Sequence, residues 1–438
     1  MQRAPDRIAR VIGAALIATG YSLTLWIFYP GIMTFDAKYV HGYAVDGVYG
    51  DWQSPVMTLL WAVIDPLAPG AASMFLLMAT LYWLSFGLLA LRIAARAPWL
   101  AVLVPMLALL PPAFVFTGVI WRDVLFAEVW LLAAVVAFYA ADRAVQVRVA
   151  LQAFSLALCA FGVLLRPNAL IAAAILAAYI LWPARFTWKH AAVLFIPAMA
   201  IFFVLVQGIY YGALKAKREH PLHSIMVFDL GGISHFTGQN QFPVTWTDAE
   251  SRLLLSGCYK PTEWDIYWTH DRCSFVMRRV DGEGKLFGTP AITSAWISAV
   301  LHHPVAYLEH RLGFFWNFAA GSNLAMWVRD IERDDQTATV FPDRPQFAAL
   351  KSIHDALKPT PLFRVGAWLL LCVVIGIAGW RRRETPEGAF AIGVCASATL
   401  YVLTFLGVGV ASDFRYGYWA VLAALAGVVA TLMPRRPA

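Results

Sequence analysis

Charge is scarce in this sequence. Only 14% of its 438 residues are Asp, Glu, Lys or Arg, where a soluble domain carries about a quarter. Long apolar runs recur from end to end, which excludes a soluble enzyme with a single anchor and points to a polytopic membrane protein. The formal net charge is +7, yet no dense basic stripe is present, so nucleic acid is not an expected partner. In a membrane protein such an excess marks cytoplasmic loops. The basic N-terminus leads into an apolar run that ends in LWIFYPG rather than in a small-residue cleavage site, so the first helix is expected to stay uncleaved. No P-loop or GxGxxG phosphate cradle stands in the right context, and no internal repeat is visible.

Cysteine is sparse too, with five in the chain. Cys159, Cys372 and Cys395 fall inside apolar runs and read as small apolar residues. Cys258 and Cys273 lie in CYKPTEWDIYWTHDRC, outside any run. On the outer side of a bacterial-type membrane they are expected to form a disulfide, closing a loop of about 15 residues and contributing roughly 3 kcal/mol.

What the chain does have is length in apolar segments. A spanning helix needs about 20 apolar residues. That rule predicts about ten spans, near 9–29, 72–94, 98–118, 123–141, 149–165, 168–183, 190–212, 362–380, 388–410 and 417–433. Every second turn between them is basic: Arg3/Arg7/Arg10, Arg92/Arg96, Arg143/Arg148, Arg185/Lys189, Arg381/Arg382/Arg383 and Arg435/Arg436. Basic turns stay inside. Both termini are therefore expected in the cytoplasm of a bacterial inner membrane, with the remaining turns facing the periplasm. The organisation reads as a membrane module over 1–212, an extracytoplasmic or interfacial region over 213–361, and C-terminal helices over 362–438. The stretch 293–321, split at Pro304, is expected along the membrane surface or as a pair of partial spans.

The outer turns carry the ionisable residues. They are the first outer loop (30–71), WRD at 121–123, RPN at 166–168, the long region 213–361 and ASDFRY at 411–416. Five polar sites thus converge on one face. In the first loop, a helix is expected to begin near Thr34, with Asp36 in its first turn, where a carboxylate is favoured. The same placement also suits a simple first-turn acid. Residues 54–67 are apolar but short and stop at Asp65-Pro66, as an interfacial or re-entrant helix would. Asp46 reads as a turn residue.

An outward-facing membrane enzyme has no nucleotide-activated substrate to hand, so its donor must come on a lipid carrier such as a polyprenyl phosphate. Sugar transfer from that donor needs a carboxylate to take the acceptor proton and basic groups to hold the departing phosphate. The phosphate leaves as a stable anion, so the second acid of glycoside hydrolysis is not required. Asp36 is the candidate base. Asp51 is either a second acid orienting the acceptor or a loop-capping residue. Arg122, Arg166 and Arg415 are candidate phosphate ligands, the last two against the alternative of arginines snorkelling to the interface. Asp123 and Asp413 support them, although Asp123 also suits a helix start. Glu128, inside a span, is either paired in the bundle or functional. His303 and His310 share a helical face, but no third ligand accompanies them or His302, and His220 and His223 are as weak a signal. No metal site or cofactor is assigned, and a divalent metal is left open.

These motifs resemble the GT-C superfamily of polytopic glycosyltransferases that use lipid-phosphate sugars, in the manner of the bacterial GT39/ArnT-like group. YPGIMTFDAKY is similar to that superfamily's first outer loop, where an early Asp is the base. GDWQSPVMTLL resembles a segment that reads His-Pro in relatives, with Gln53-Ser54-Pro55 in its place here. WRDVLFA, RPNAL and DFRY resemble the turns before the fourth span, after the fifth and before the last. The resemblance implies an all-α bundle with juxtamembrane helices in the first loop, a polyprenyl-phosphate-linked sugar donor, and a glycan, lipid or protein acceptor. The competing classes are a transporter or flippase of lipid-linked sugars, which would place charges near the midplane in repeated halves, and a non-catalytic subunit of an envelope assembly.

Overall fold

A computed structural model describes residues 4–268, 272–321 and 344–434. Arg3, Arg435 and Arg436 of the predicted basic turns lie outside these residues. The described chain is all-α, with three isolated β-bridges and no strand. Seven helices are long and apolar enough to cross a membrane: Arg7–Phe28, Ala71–Ala94, Arg122–Ala140, Val145–Leu165, Trp188–Ala213, Pro386–Val408 and Phe414–Leu432. Each matches a span expected from the sequence. The expected span 98–118 is instead a pair, Pro98–Ala108 and Pro111–Gly118, bent by 59°. The cause is Pro111-Pro112, which offers no amide to the preceding turn. Two further expected spans are short apolar helices, Pro167–Leu181 and Val365–Trp380.

Arg122–Ala140 is the central helix. It is buried almost throughout and packs against Ala71–Ala94, Val145–Leu165 and Tyr418–Leu432. Its Trp130 donates from Nε1 to the Cys159 carbonyl at 3.1 Å. The neighbouring helix comes this close because position 162 is glycine; a Cβ there would lie 2.1 Å from Trp130 Nε1.

The two ends of the bundle differ. At one end the predicted inner residues meet: Arg92 pairs with Asp142, Arg96 with Glu387, and Arg382 donates to the Thr431 and Met433 carbonyls at 2.9 and 2.7 Å. The central helix runs from there to the other end, about 28 Å at 1.5 Å per residue. The helices of the first outer loop lie at that second end, Phe35–Asp46 and Pro55–Ile64. Gly47, at φ 66°, ends the first of them in the left-handed conformation that glycine adopts freely. Ser54 caps the second, its hydroxyl accepting from the Met57 amide at 3.2 Å.

The described residues between 213 and 361 are largely helical. Leu222–Thr237 packs against both Pro290–His302 and Pro304–Ala320. The break at Pro304 stands where the sequence places it, and neither helix is long and apolar enough to cross a membrane.

Candidate functional site

Asp36 occupies the first turn of Phe35–Asp46, as the sequence predicts. Thr34 is the N-cap residue but does not cap through its side chain. Its hydroxyl instead accepts from Trp121 Nε1 at 2.8 Å, tying the start of this helix to the WRD turn. A parallel bridge between Ile32 and Val119 adds two backbone hydrogen bonds, Ile32 N to the Gly118 carbonyl at 2.9 Å and Ile120 N to the Ile32 carbonyl at 3.0 Å. The base candidate is thus fixed by backbone contact to the entrance of the central helix.

The Asp36 carboxylate meets two partners. Arg415 Nη1 lies 2.8 Å from Oδ2, and Gln53 Nε2 donates to Oδ1 at 3.1 Å. Its side chain keeps 33% of its surface exposed, against 14% for Arg415. Asp413 holds Arg415 from the other side, with Oδ2 3.1 Å from Nε and Oδ1 accepting from the Arg415 amide at 3.0 Å. The guanidinium also lies 4.4 Å from the Trp121 ring centroid and 5.1 Å from that of Tyr416, where aromatic faces attract a cation.

Arg166 and Asp123 form a second pair, Nη2 to Oδ1 at 2.7 Å, with side chains only 8% and 4% exposed. Arg166 also lies over the Tyr416 ring at 5.1 Å and near the Tyr401 hydroxyl at 3.4 Å. Tyr416 therefore sits between the two arginines. Arg122 donates from Nη1 to the Trp52 carbonyl at 3.2 Å. Among the described residues it has no carboxylate within ion-pair distance, unlike Arg166 and Arg415.

Asp51 stands apart from this cluster. Its Oδ2 accepts from the Tyr211 hydroxyl at 2.7 Å and its Oδ1 from the Glu219 amide at 2.6 Å. Glu219 in turn accepts from Tyr39 and Tyr43 at 2.6 and 2.9 Å and from the Trp52 amide at 2.9 Å. Burial and then the Glu219 carboxylate hold the Tyr39 phenol well above the usual tyrosine range. Of the two roles open in the sequence, these contacts belong to the loop-capping one.

Elsewhere, the expected disulfide joins Cys258 to Cys273, with Cα atoms 5.6 Å apart, and the other three cysteines are free and buried. Glu128 is fully buried, and neither carboxylate oxygen has a hydrogen-bond partner among the described residues. His310 is buried against Asp229, Nε2 to Oδ1 at 3.2 Å, whereas His303 stands at the break between two helices. Among the described residues no three His, Cys, Asp or Glu side chains form a metal-sized group.

Sequence reasoning missed Gln53, Thr34, Trp121 and Tyr416 as parts of this site. All four lie inside the motifs that carry the resemblance (YPGIMTFDAKY, QSP, WRD, DFRY), so the signal was adjacency to a charged motif residue.

No family model and no curated protein matches the chain. Two solved structures of the Archaeoglobus fulgidus oligosaccharyltransferase are similar to it, one in the apo form and one of AglB in complex with an inhibitory peptide and a dolichol-phosphate. Each is 11% identical, covers 95% of this chain and 50% of that chain, and gives a TM-score of 0.38. The chain spans about half the length of these proteins. A likeness of this order carries no argument about activity.

Proposed function

We propose that this protein is a membrane glycosyltransferase of the GT-C type, moving a sugar from a polyprenyl-phosphate donor to an acceptor hydroxyl at the extracytoplasmic face of a bacterial inner membrane. The observation that carries the reading is the meeting of one half-exposed carboxylate, Asp36, with Arg415, at the end of the bundle where Arg122 and Arg166 also emerge.

In this reading Asp36 takes the proton from the acceptor hydroxyl as its oxygen attacks the anomeric carbon. The bond from that carbon to the phosphate oxygen breaks, and the phosphate leaves as an anion. Arg122, which has no carboxylate within ion-pair distance among the described residues, is the first site for that anion. Arg415 is the second. As it turns toward the phosphate it releases the Asp36 oxygen that it holds at 2.8 Å, which frees a lone pair for the proton. Donor binding thereby readies the base. Arg166, locked on Asp123, fixes the floor of the site. Gln53 orients the carboxylate through its other oxygen. Asp51 serves by holding the loop through Tyr211 and the Glu219 amide. The chemistry of the acceptor is a glycan, lipid or protein hydroxyl.

The test is transfer from a labelled polyprenyl-phosphate sugar by the full chain in proteoliposomes. Asp36→Asn is expected to lose about 10²–10⁴-fold in rate with normal membrane insertion. Transfer at the wild-type rate removes Asp36 as the base. Transport of the lipid-linked sugar across the bilayer without transfer replaces the enzyme by a flippase.

A further inference from the structure

The disulfide lies in the outer region, yet its loop reaches the candidate site. Residues 409–412 (GVAS) lead into Asp413 and Arg415 and are small enough to lie flat against a neighbouring strand-like segment. That neighbour is the middle of the disulfide loop. Glu263 and Ala411 form an antiparallel bridge, the Trp264 amide donates to the Val410 carbonyl at 2.9 Å, and the Ser412 amide donates to the Thr262 carbonyl at 2.7 Å. Ser412 is the residue before Asp413.

The loop is itself anchored. Cys258 and Cys273 are fully buried. Tyr267 packs against Leu222–Thr237 where position 231 is glycine; a Cβ there would stand 1.9 Å from the Tyr267 hydroxyl. A second anchor acts on the same segment. Arg311 donates from Nη1 to the Gly409 carbonyl at 2.7 Å, while its Nε lies 2.6 Å from Asp229. Trp296 closes the other Asp229 oxygen at 2.7 Å. The loop also meets the far side of the site, since the Trp264 and Trp52 rings lie 5.9 Å apart and Trp52 precedes Gln53.

We propose that the Cys258–Cys273 loop is a positioning clamp: it holds residues 410–412 so that Arg415 is presented to Asp36, with Arg311 as its second jaw. The proposal rests on the functional reading above for its effect on rate, but the clamp itself is a statement about the chain. Thr262, Trp264 and Arg311 are positioning residues; none of them touches Asp36.

The experiment compares wild type with Cys258→Ser/Cys273→Ser in the full chain, by steady-state transfer kinetics and by amide hydrogen exchange. With the bridge gone, amides in 409–416 are expected to exchange about tenfold faster or more, while those of Arg122–Ala140 stay unchanged. The kcat is expected to fall roughly 10²-fold, the cost of about 1 Å of misplacement, with the donor KM within about twofold. A global loss of packing would instead speed exchange in both segments. Unchanged exchange at 409–416, or an intact kcat, overturns the clamp. Should the double variant fail to insert, Arg311→Lys supplies the second arm: it keeps the charge on Asp229 but loses the reach to Gly409, and the same local pattern is expected. A wild-type protein without transfer activity sinks the functional reading, and the exchange arm then decides the clamp alone.

Discussion

Arg415 Nη1 stands 2.8 Å from Asp36 Oδ2, which joins the first outer loop to the entrance of the last helix across most of the length of the chain. Arg415 also reaches Asp413 through Nε at 3.1 Å. A lysine is a point charge and cannot serve both carboxylates from one rigid fork. Arg415→Lys is therefore expected to lower kcat/KM by about 10–10²-fold, a loss of roughly 1.4–2.7 kcal/mol of transition-state stabilisation, with the donor KM raised. Donor titration in proteoliposomes checks this, and unchanged kinetics would remove Arg415 from the site.

The Arg166–Asp123 pair is buried on both sides. Removing one partner leaves an uncompensated charge and typically costs about 3–5 kcal/mol, whereas replacing both by apolar residues is often near neutral. Asp123→Leu alone is expected to lower the thermal midpoint sharply. Asp123→Leu/Arg166→Met is expected to recover most of the midpoint but not the transfer rate. A double variant that recovers both would make the pair purely structural.

Asp51 provides the contrast to Asp36. Its carboxylate is spent on Tyr211 and the Glu219 amide. Asp51→Ala is expected to destabilise by about 1–3 kcal/mol through unpaired polar groups, with turnover per folded molecule lowered less than tenfold. A loss as deep as that of Asp36→Asn, at full stability, would restore Asp51 to the chemistry as the second acid.

His310 predicts a pH effect of definite sign. It is fully buried and faces Asp229, Arg311 and the Tyr259 hydroxyl. Burial outweighs the pull of Asp229 and holds the imidazole below its ordinary value near 6.5. The unfolded chain then binds the proton more readily than the folded one. This stability contribution is complete above about pH 6.5 and declines as pH falls from there through the lowered value. His310→Gln is expected to flatten that part of the stability–pH curve, read as the thermal midpoint between pH 7.5 and 5. A curve of the same slope in the variant would place the titration elsewhere.

The transmembrane layout was legible because length and apolarity are local properties. The bend near Pro111-Pro112 could be read from the same residues once a span of that length was questioned, because the missing amides are local too. The site was only partly legible. Asp36, Arg166 and Arg415 each show as an ionisable residue at a helix end. Their pairing does not, because Asp36–Arg415 and Asp123–Arg166 are contacts between distant segments. Gln53 was hidden for a different reason: an uncharged amide in a loop carries no sign of its own until the carboxylate that it orients is placed beside it. Asp51 was open in the sequence for a related reason, since an acid in a polar loop looks the same whether it binds substrate or a backbone amide.

The bridge between residues 262–264 and 410–412 also has a biosynthetic consequence. Asp36, Trp121 and Arg166 leave the ribosome well before residue 409, so for most of synthesis the nascent protein holds its carboxylate with no Arg415 opposite it. The half-site is completed only when the helix pair Pro386–Val408 and Tyr418–Leu432 is in place and the turn between them docks on residues 262–264. A chain stopped before Gly409 is thus expected to insert its earlier helices and remain inert, because the segment that clasps residues 262–264 and carries Arg415 is made last.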